Sequence, residues 1–216
     1  MSIKTEIMMS KKAKLKCIIP SVLLFLNTGL FAQHAELTAY GGYTFDHTLN
    51  SYSTNYYKAK IAGSGHLGGA LDFFLNENYS LSLTYSFQPT TGYLYGSGST
   101  ANKSDGLDLH YILLGGNRYV GNNRVKGYGG LGLGACIIAP KTYSGATKFA
   151  WDIHLGVKLY ASDRVGIRLQ AQLLSLVDGA GFGIGIGTGG TGAGISTYSS
   201  VLQFGLNGGL IIKFKK

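Results

Sequence analysis

Residues 149–159 read FAWDIHLGVKL: Phe149, Trp151, Ile153, Leu155, Val157 and Leu159 are large and apolar, and Ala150, Asp152, His154, Gly156 and Lys158 lie between them. Only a β-strand puts two such sets on opposite faces. The stretch has the roughly 9–11 residues that a tilted strand needs to cross a hydrocarbon layer. Residues 79–87, YSLSLTYSF, repeat the arrangement, with Tyr79, Leu81, Leu83, Tyr85 and Phe87 on one side and three serines and Thr84 on the other. One face suits lipid and the other suits water or a polar interior.

Working outward, the same alternation recurs over 36–45, 58–75, 107–119, 125–138, 164–174 and 200–214, which makes eight strands in all. In 58–75, Ile61, Leu67, Leu71 and Phe73 oppose His66 and Asp72; in 107–119, Leu107, Leu109, Tyr111 and Leu113 oppose Asp108, His110 and Arg118. In each case the apolar set is expected outside. Phe182, Ile184 and Ile186 alternate with glycine, so an extra strand pair, giving ten strands, stays open. Connections sort by length. Asn76-Glu77-Asn78, Gly121-Asn122-Asn123 and Ala161-Ser162-Asp163 are tight turns by composition, whereas 46–57, 88–106, 139–147 and 175–199 are longer polar or Gly-rich loops. Three short turns alternating with four long loops predict an all-β, transmembrane, antiparallel up-and-down barrel with both termini at the short-turn end.

Composition agrees. Charged residues make up 13% of the chain, about half the roughly 25% of soluble domains, and there are 34 glycines. The formal net charge of +9 is partly a leader effect, because Lys4, Lys11, Lys12, Lys14 and Lys16 precede an apolar run at 17–31. The remaining basic residues are scattered, with no patch for nucleic acid. Residues 1–32 read as a secretory signal peptide cleaved near Ala32, with Met8 or Met9 as alternative starts, and 33–216 as the barrel domain. Cys17 leaves with the leader, so Cys136 remains alone and no intrachain disulfide is expected.

The run 33–216 resembles the small eight-stranded outer-membrane barrels of the OmpA and OmpX type, and a Bacteroidota outer-membrane β-barrel domain. The most specific piece is residues 207–214, NGGLIIKF, which fits the C-terminal insertion signal of such barrels through Asn207, Gly209, Ile212 and Phe214. The resemblance implies residence in the bacterial outer membrane, insertion by the barrel-assembly machinery, contact with outer-membrane lipid, and a monomer.

If the polar face is the lumen, Asp72, Asp108, Arg118, Lys126, Asp152, His154, Lys158 and Arg168 gather inside as a structural charge network. Burying charge is tolerable only when it is paired and hydrogen-bonded, so mutual pairing is expected, with Arg168→Ala costing about 3–5 kcal/mol if its partner is fully buried. Lumen-side Gly156→Ser is expected to be milder than lipid-side Ile153→Arg. Asp152 and His154 have the spacing to orient a general base, but no serine or cysteine nucleophile accompanies them, and no catalytic site, cofactor or metal site is expected. Gly187-Thr188-Gly189-Gly190-Thr191-Gly192 matches G-x-G-x-x-G but opens no helix after a strand, so a dinucleotide cradle fails its context. The leading expectation is a non-enzymatic outer-membrane barrel with a structural or surface-interaction role through its loops. The alternatives are a narrow porin-like channel for small solutes and an exported soluble barrel of lipocalin type, since alternation alone does not say which face is inside.

Overall fold

The computed structural model describes residues 34–50, 56–96, 101–177 and 200–215. The expected leader 1–32, the segment 182–186 and the glycine motif at 187–192 lie outside them. Ten strands are present: β1 (His34–Thr44), β2 (His47–Asn50), β3 (Tyr56–Ile61), β4 (Ser64–Phe74), β5 (Tyr79–Gly96), β6 (Lys103–Gly121), β7 (Val125–Pro140), β8 (Ala146–Tyr160), β9 (Val165–Val177) and β10 (Ser200–Lys215).

Eight of them close a barrel in the order β5-β4-β1-β10-β9-β8-β7-β6, with β6 returning to β5, and every pairing is antiparallel. Closure leaves these strands no free edge. The two additional strands continue β1 and β4 beyond the barrel as a hairpin, and β3 pairs with the far end of β5. The breaks are tied to neighbouring strands: Phe45 N donates to Phe204 O at 2.8 Å, Ala62 N to Thr91 O at 2.9 Å, and Thr90 Oγ1 to Ala62 O at 2.7 Å. At Gly63 a Cβ would sit 2.8 Å from the Tyr43 hydroxyl, so the second break needs glycine. It also shifts the strand parity, so Ile61 points inward, opposite to the facing expected for it.

The three short turns share one device. Asn76 Oδ1 accepts from Asn78 N and Tyr79 N, both at 2.9 Å; Asn122 Oδ1 accepts from Arg124 N and Val125 N at 3.0 and 2.8 Å; Ser162 Oγ accepts from Arg164 N and Val165 N at 3.3 and 3.1 Å. A side-chain oxygen thus replaces the acceptors that the backbone loses at the bend. Gly121, with φ of +135°, takes a left-handed conformation unfavourable to other residues. His34 pairs with both Phe74 and Lys215, so the described chain ends lie at the short-turn end. At the other end the expected loop 88–106 is mostly strand, because β5 runs to Gly96 and β6 begins at Lys103.

Facing follows parity. Leu81, Leu83, Leu131, Leu133, Ile153, Leu155, Ile167, Leu169, Leu210 and Ile212 point outward and are exposed, whereas Ser80, Ser82, Asp152, Lys158, Arg168 and Gln170 are buried inside. Strand β6 departs from the expected facing. Leu107, Leu109, Tyr111 and Leu113 are inside, at most 4% exposed, and Ile112, Leu114 and Val120 take the outer face. Both of its faces are apolar in this region, so composition alone assigned the sides the wrong way round.

Candidate functional site

The barrel interior has two storeys. Near the short-turn end it is polar and ionic. Lys158, on β8, is fully buried and sits between two carboxylates: its Nζ lies 2.8 Å from Glu36 Oε2 and 2.8 Å from Asp72 Oδ2, and donates to the Tyr119 hydroxyl at 3.1 Å. The rings of Tyr119, Phe74 and Tyr128 surround the ammonium, with centroids at 4.9, 5.3 and 5.7 Å. Tyr160 OH donates to both oxygens of Glu36, at 2.9 and 3.1 Å, and Lys213 Nζ stands 3.5 Å from the same group. A charge removed from water needs this density of partners.

The network continues upward from Asp72. Asn117 Nδ2 donates to Asp72 Oδ1 at 3.2 Å and to Ser80 Oγ at 3.4 Å, which leaves Asn117 Oδ1 facing His154 Nε2 at 2.6 Å. His154 Nδ1 lies 2.6 Å from Asp152 Oδ2. An oxygen atom thus stands within hydrogen-bond distance of each ring nitrogen of His154. Turning the Asn117 amide over would set its carbonyl against the Asp72 carboxylate. Space for the chain comes from β7: a Cβ at inward Gly130 would meet His154 Nε2 at 2.7 Å as well as Asn117 Oδ1, and one at Gly132 would run into Asp152 Oδ1. The glycines that blur the β7 pattern are therefore where the neighbouring strands' polar side chains fit.

Beside this chain, Tyr128 OH donates to Gln170 Oε1 at 2.7 Å, and Gln170 Nε2 and Asn207 Nδ2 both donate to Gln172 Oε1, at 3.1 and 3.0 Å. Arg168 is 3% exposed and lies over the Tyr40 ring at 4.9 Å; its Nε has no partner, and no carboxylate among the described residues forms an ion pair with it. Lys126 stands at the short-turn mouth, 3.4 Å from the Glu77 carbonyl and 5.6 Å from the Phe74 ring centroid.

Above the polar storey apolar side chains predominate, with buried Gln88 and Gln203 as the cross-strand neighbours of Leu109 and Leu174. Leu107, Leu109, Tyr111, Leu113, Cys136, Ala150, Leu174, Leu176 and Val201 form one buried cluster with Ile61, and Ile138 packs against it.

Of the eight residues expected to share a lumen network, Asp72, Asp152, His154 and Lys158 are joined by hydrogen bonds, and Arg168 and Lys126 stand inside without joining that chain. Asp108 and Arg118 are not in the lumen. The reversed facing of β6 puts both on the outer wall, where Asp108 pairs with Lys141 and Arg118 is exposed. His110 is likewise outside, its Nδ1 2.9 Å from the Tyr85 hydroxyl. Glu36, Asn117, Tyr119, Tyr128, Tyr160 and Lys213 complete the site; alternation on their strands puts Glu36, Tyr128, Tyr160 and Lys213 inward, whereas Asn117 and Tyr119 belong to the β6 set expected outside. Of the residues expected to form the insertion signal, Asn207 and Gly209 face the lumen and Ile212 and Phe214 face outward. Among the described residues no group of three or more His, Cys, Asp or Glu side chains is placed to hold a metal ion.

No protein-family profile matches the chain, and no curated protein sequence matches it. Solved structures do. The outer membrane protein OprG from Pseudomonas aeruginosa aligns with a TM-score of 0.58 at 13% identity, over 86% of this chain and 97% of OprG. Neisserial surface protein A, NspA, aligns with a TM-score of 0.54 at 13% identity, over 84% of this chain and 97% of NspA. The fold is that of the small outer-membrane β-barrels. At such identity the likeness is one of architecture, and the two-storey interior is described for this chain alone.

Proposed function

We propose that the mature chain is an integral outer-membrane β-barrel with a filled interior, acting as a structural or surface-interaction protein through its loop-bearing end and carrying out no catalysis. One observation carries the reading: large apolar side chains cover the outer wall while Lys158, Glu36 and Asp72 pair inside. Soluble monomers rarely expose contiguous apolar patches larger than a few hundred Å², and lipid is the solvent that suits a wall covered by so many large apolar side chains. The Asp152–His154 pair fits a structural role, because both ring nitrogens are engaged and neither is free to take a proton from a substrate.

In this reading the leader is removed near Ala32, the C-terminal strand presents the insertion signal to the barrel-assembly machinery, and the monomer meets surface ligands or partner proteins through its loops. The test is fractionation of expressing cells with mass measurement of the product. Recovery in the outer membrane, soluble only with detergent and beginning at Gln33, is expected; recovery as a soluble exported protein would overturn the proposal.

The channel reading has one observation in its favour. Thr38 Oγ1, Asn207 Oδ1 and Arg168 Nε in the polar storey, and Gln88 Nε2 and Gln203 Oε1 beside the apolar cluster, are buried without protein partners, and water would satisfy them. A continuous path would still have to cross the apolar storey, so the barrier reading is preferred. Planar-bilayer conductance separates the two.

A further inference from the structure

On the outer wall, the strand positions toward the short-turn end are apolar with one exception, Arg118 on β6. It pairs across the sheet with Tyr79 on one side and Gly129 on the other. It forms no hydrogen bond or ion pair with any described residue. Beside it lies an open groove of about 430 Å³, lined by Arg118, Val120, Gly127, Tyr128 and Gly129. The glycines in its floor are not imposed by packing: a Cβ at Gly127 or Gly129 would meet only a backbone carbonyl, at 3.7 Å, an ordinary contact. This differs from the inward glycines of the same strand, where a Cβ would collide with Asn117, His154 or Asp152. The groove is therefore space that the chain leaves open on a lipid-facing wall, with an uncompensated guanidinium at its edge.

We propose that this groove holds a glycerophospholipid of the leaflet at the short-turn end, its phosphodiester on Arg118 and an acyl chain running over Gly129 toward the middle of the barrel. The inference rests on the membrane reading above. A guanidinium suits the partner because its planar fork matches phosphate oxygens bidentately, and the charge-assisted contact strengthens where water is scarce. Tyr79, the neighbour of Arg118 on the other side of the strand, carries a ring of the kind that gathers at membrane interfaces, which suits a headgroup level there.

Native mass spectrometry of the detergent-purified protein, titrated separately with a phosphatidylglycerol and with the diacylglycerol of the same chains, tests it. The wild type should retain the phosphatidylglycerol far better than the diacylglycerol. Arg118→Gln and Gly129→Leu should each weaken retention roughly tenfold, as expected for one lost charge-assisted contact or a filled cradle, while Arg118→Lys keeps part of it. Equal retention of the two lipids by the wild type, a comparison that needs no variant, would overturn the site, as would unchanged phosphatidylglycerol retention in Arg118→Gln. In both of those outcomes the protein is still recovered in the membrane; recovery in the soluble fraction would instead remove the membrane reading itself.

Discussion

At Lys158 the interior is most tightly determined, because one ammonium answers two carboxylates that come from β1 and β4. Truncating it leaves Asp72 buried without its cation and Glu36 with only Lys213 at 3.5 Å, so Lys158→Ala should cost about 3–5 kcal/mol in urea titrations of the refolded protein. Arg168→Ala should cost less than that, contrary to the expectation from sequence. Arg168 has no buried carboxylate to strand, and what it loses is its place over the Tyr40 ring, an interaction of roughly 0.5–2 kcal/mol; equal losses for the two variants would show that Arg168 has an acidic partner after all. The ranking of Gly156 also changes. Its inward Cβ would meet the Tyr128 ring at 2.8 Å and collide with the Leu169 carbonyl, so Gly156→Ser should destabilise by about 1–3 kcal/mol as an overpacked site does, comparable with the ~2–4 kcal/mol expected of lipid-facing Ile153→Arg. A Gly156→Ser protein as stable as wild type would mean that β8 and β9 have room to part. Parity made Lys158, Asp72 and Asp152 legible in sequence as inward charges, whereas their partner Glu36 was passed over because its strand was read only for its apolar side.

Among the elements, the short turns were the most legible, since Asn and Ser stood at the positions where a side-chain oxygen must take over from the backbone. Each of Asn76, Asn122 and Ser162 accepts two backbone hydrogen bonds at an exposed bend. Asn122→Ala is therefore expected to lower stability by about 1 kcal/mol, the net worth of a hydrogen bond whose donors water can re-solvate, with the barrel still folding; no change in the unfolding midpoint would make the cap dispensable. Strand β6 was the least legible. Alternation sorts residues into two sets but does not say which set is inside, and along 107–114 apolar residues occupy both. The sequence-based assignment followed Asp108, His110 and Arg118 inward, but side chains near a barrel's ends can carry charge on the outer wall because they reach water or headgroups. The kink at Gly63 defeated the reading in another way, by changing parity within what looked like one strand.

For the whole molecule, the arrangement of the interior decides whether ions cross. An eight-stranded barrel is just wide enough for its side chains to fill it, and here they fill it in series: paired charges toward the short turns, then the apolar cluster of Leu107, Leu109, Tyr111, Leu113, Leu174 and Leu176. An ion entering from the short-turn end would have to break ion pairs, and one entering from the loop end would have to shed most of its hydration in a largely apolar segment. The two barriers are independent, so removing one should not open the lumen. The wild type is accordingly expected to show no steady current in planar bilayers, and Lys158→Ala to remain closed despite its lost stability. Replacing Leu109 and Leu113 with serine in the Lys158→Ala background removes the second barrier as well, and that combined variant, provided it inserts, is the one expected to conduct. Steady ohmic current from Lys158→Ala alone would mean that the apolar storey admits water, and that the ionic network is the only seal.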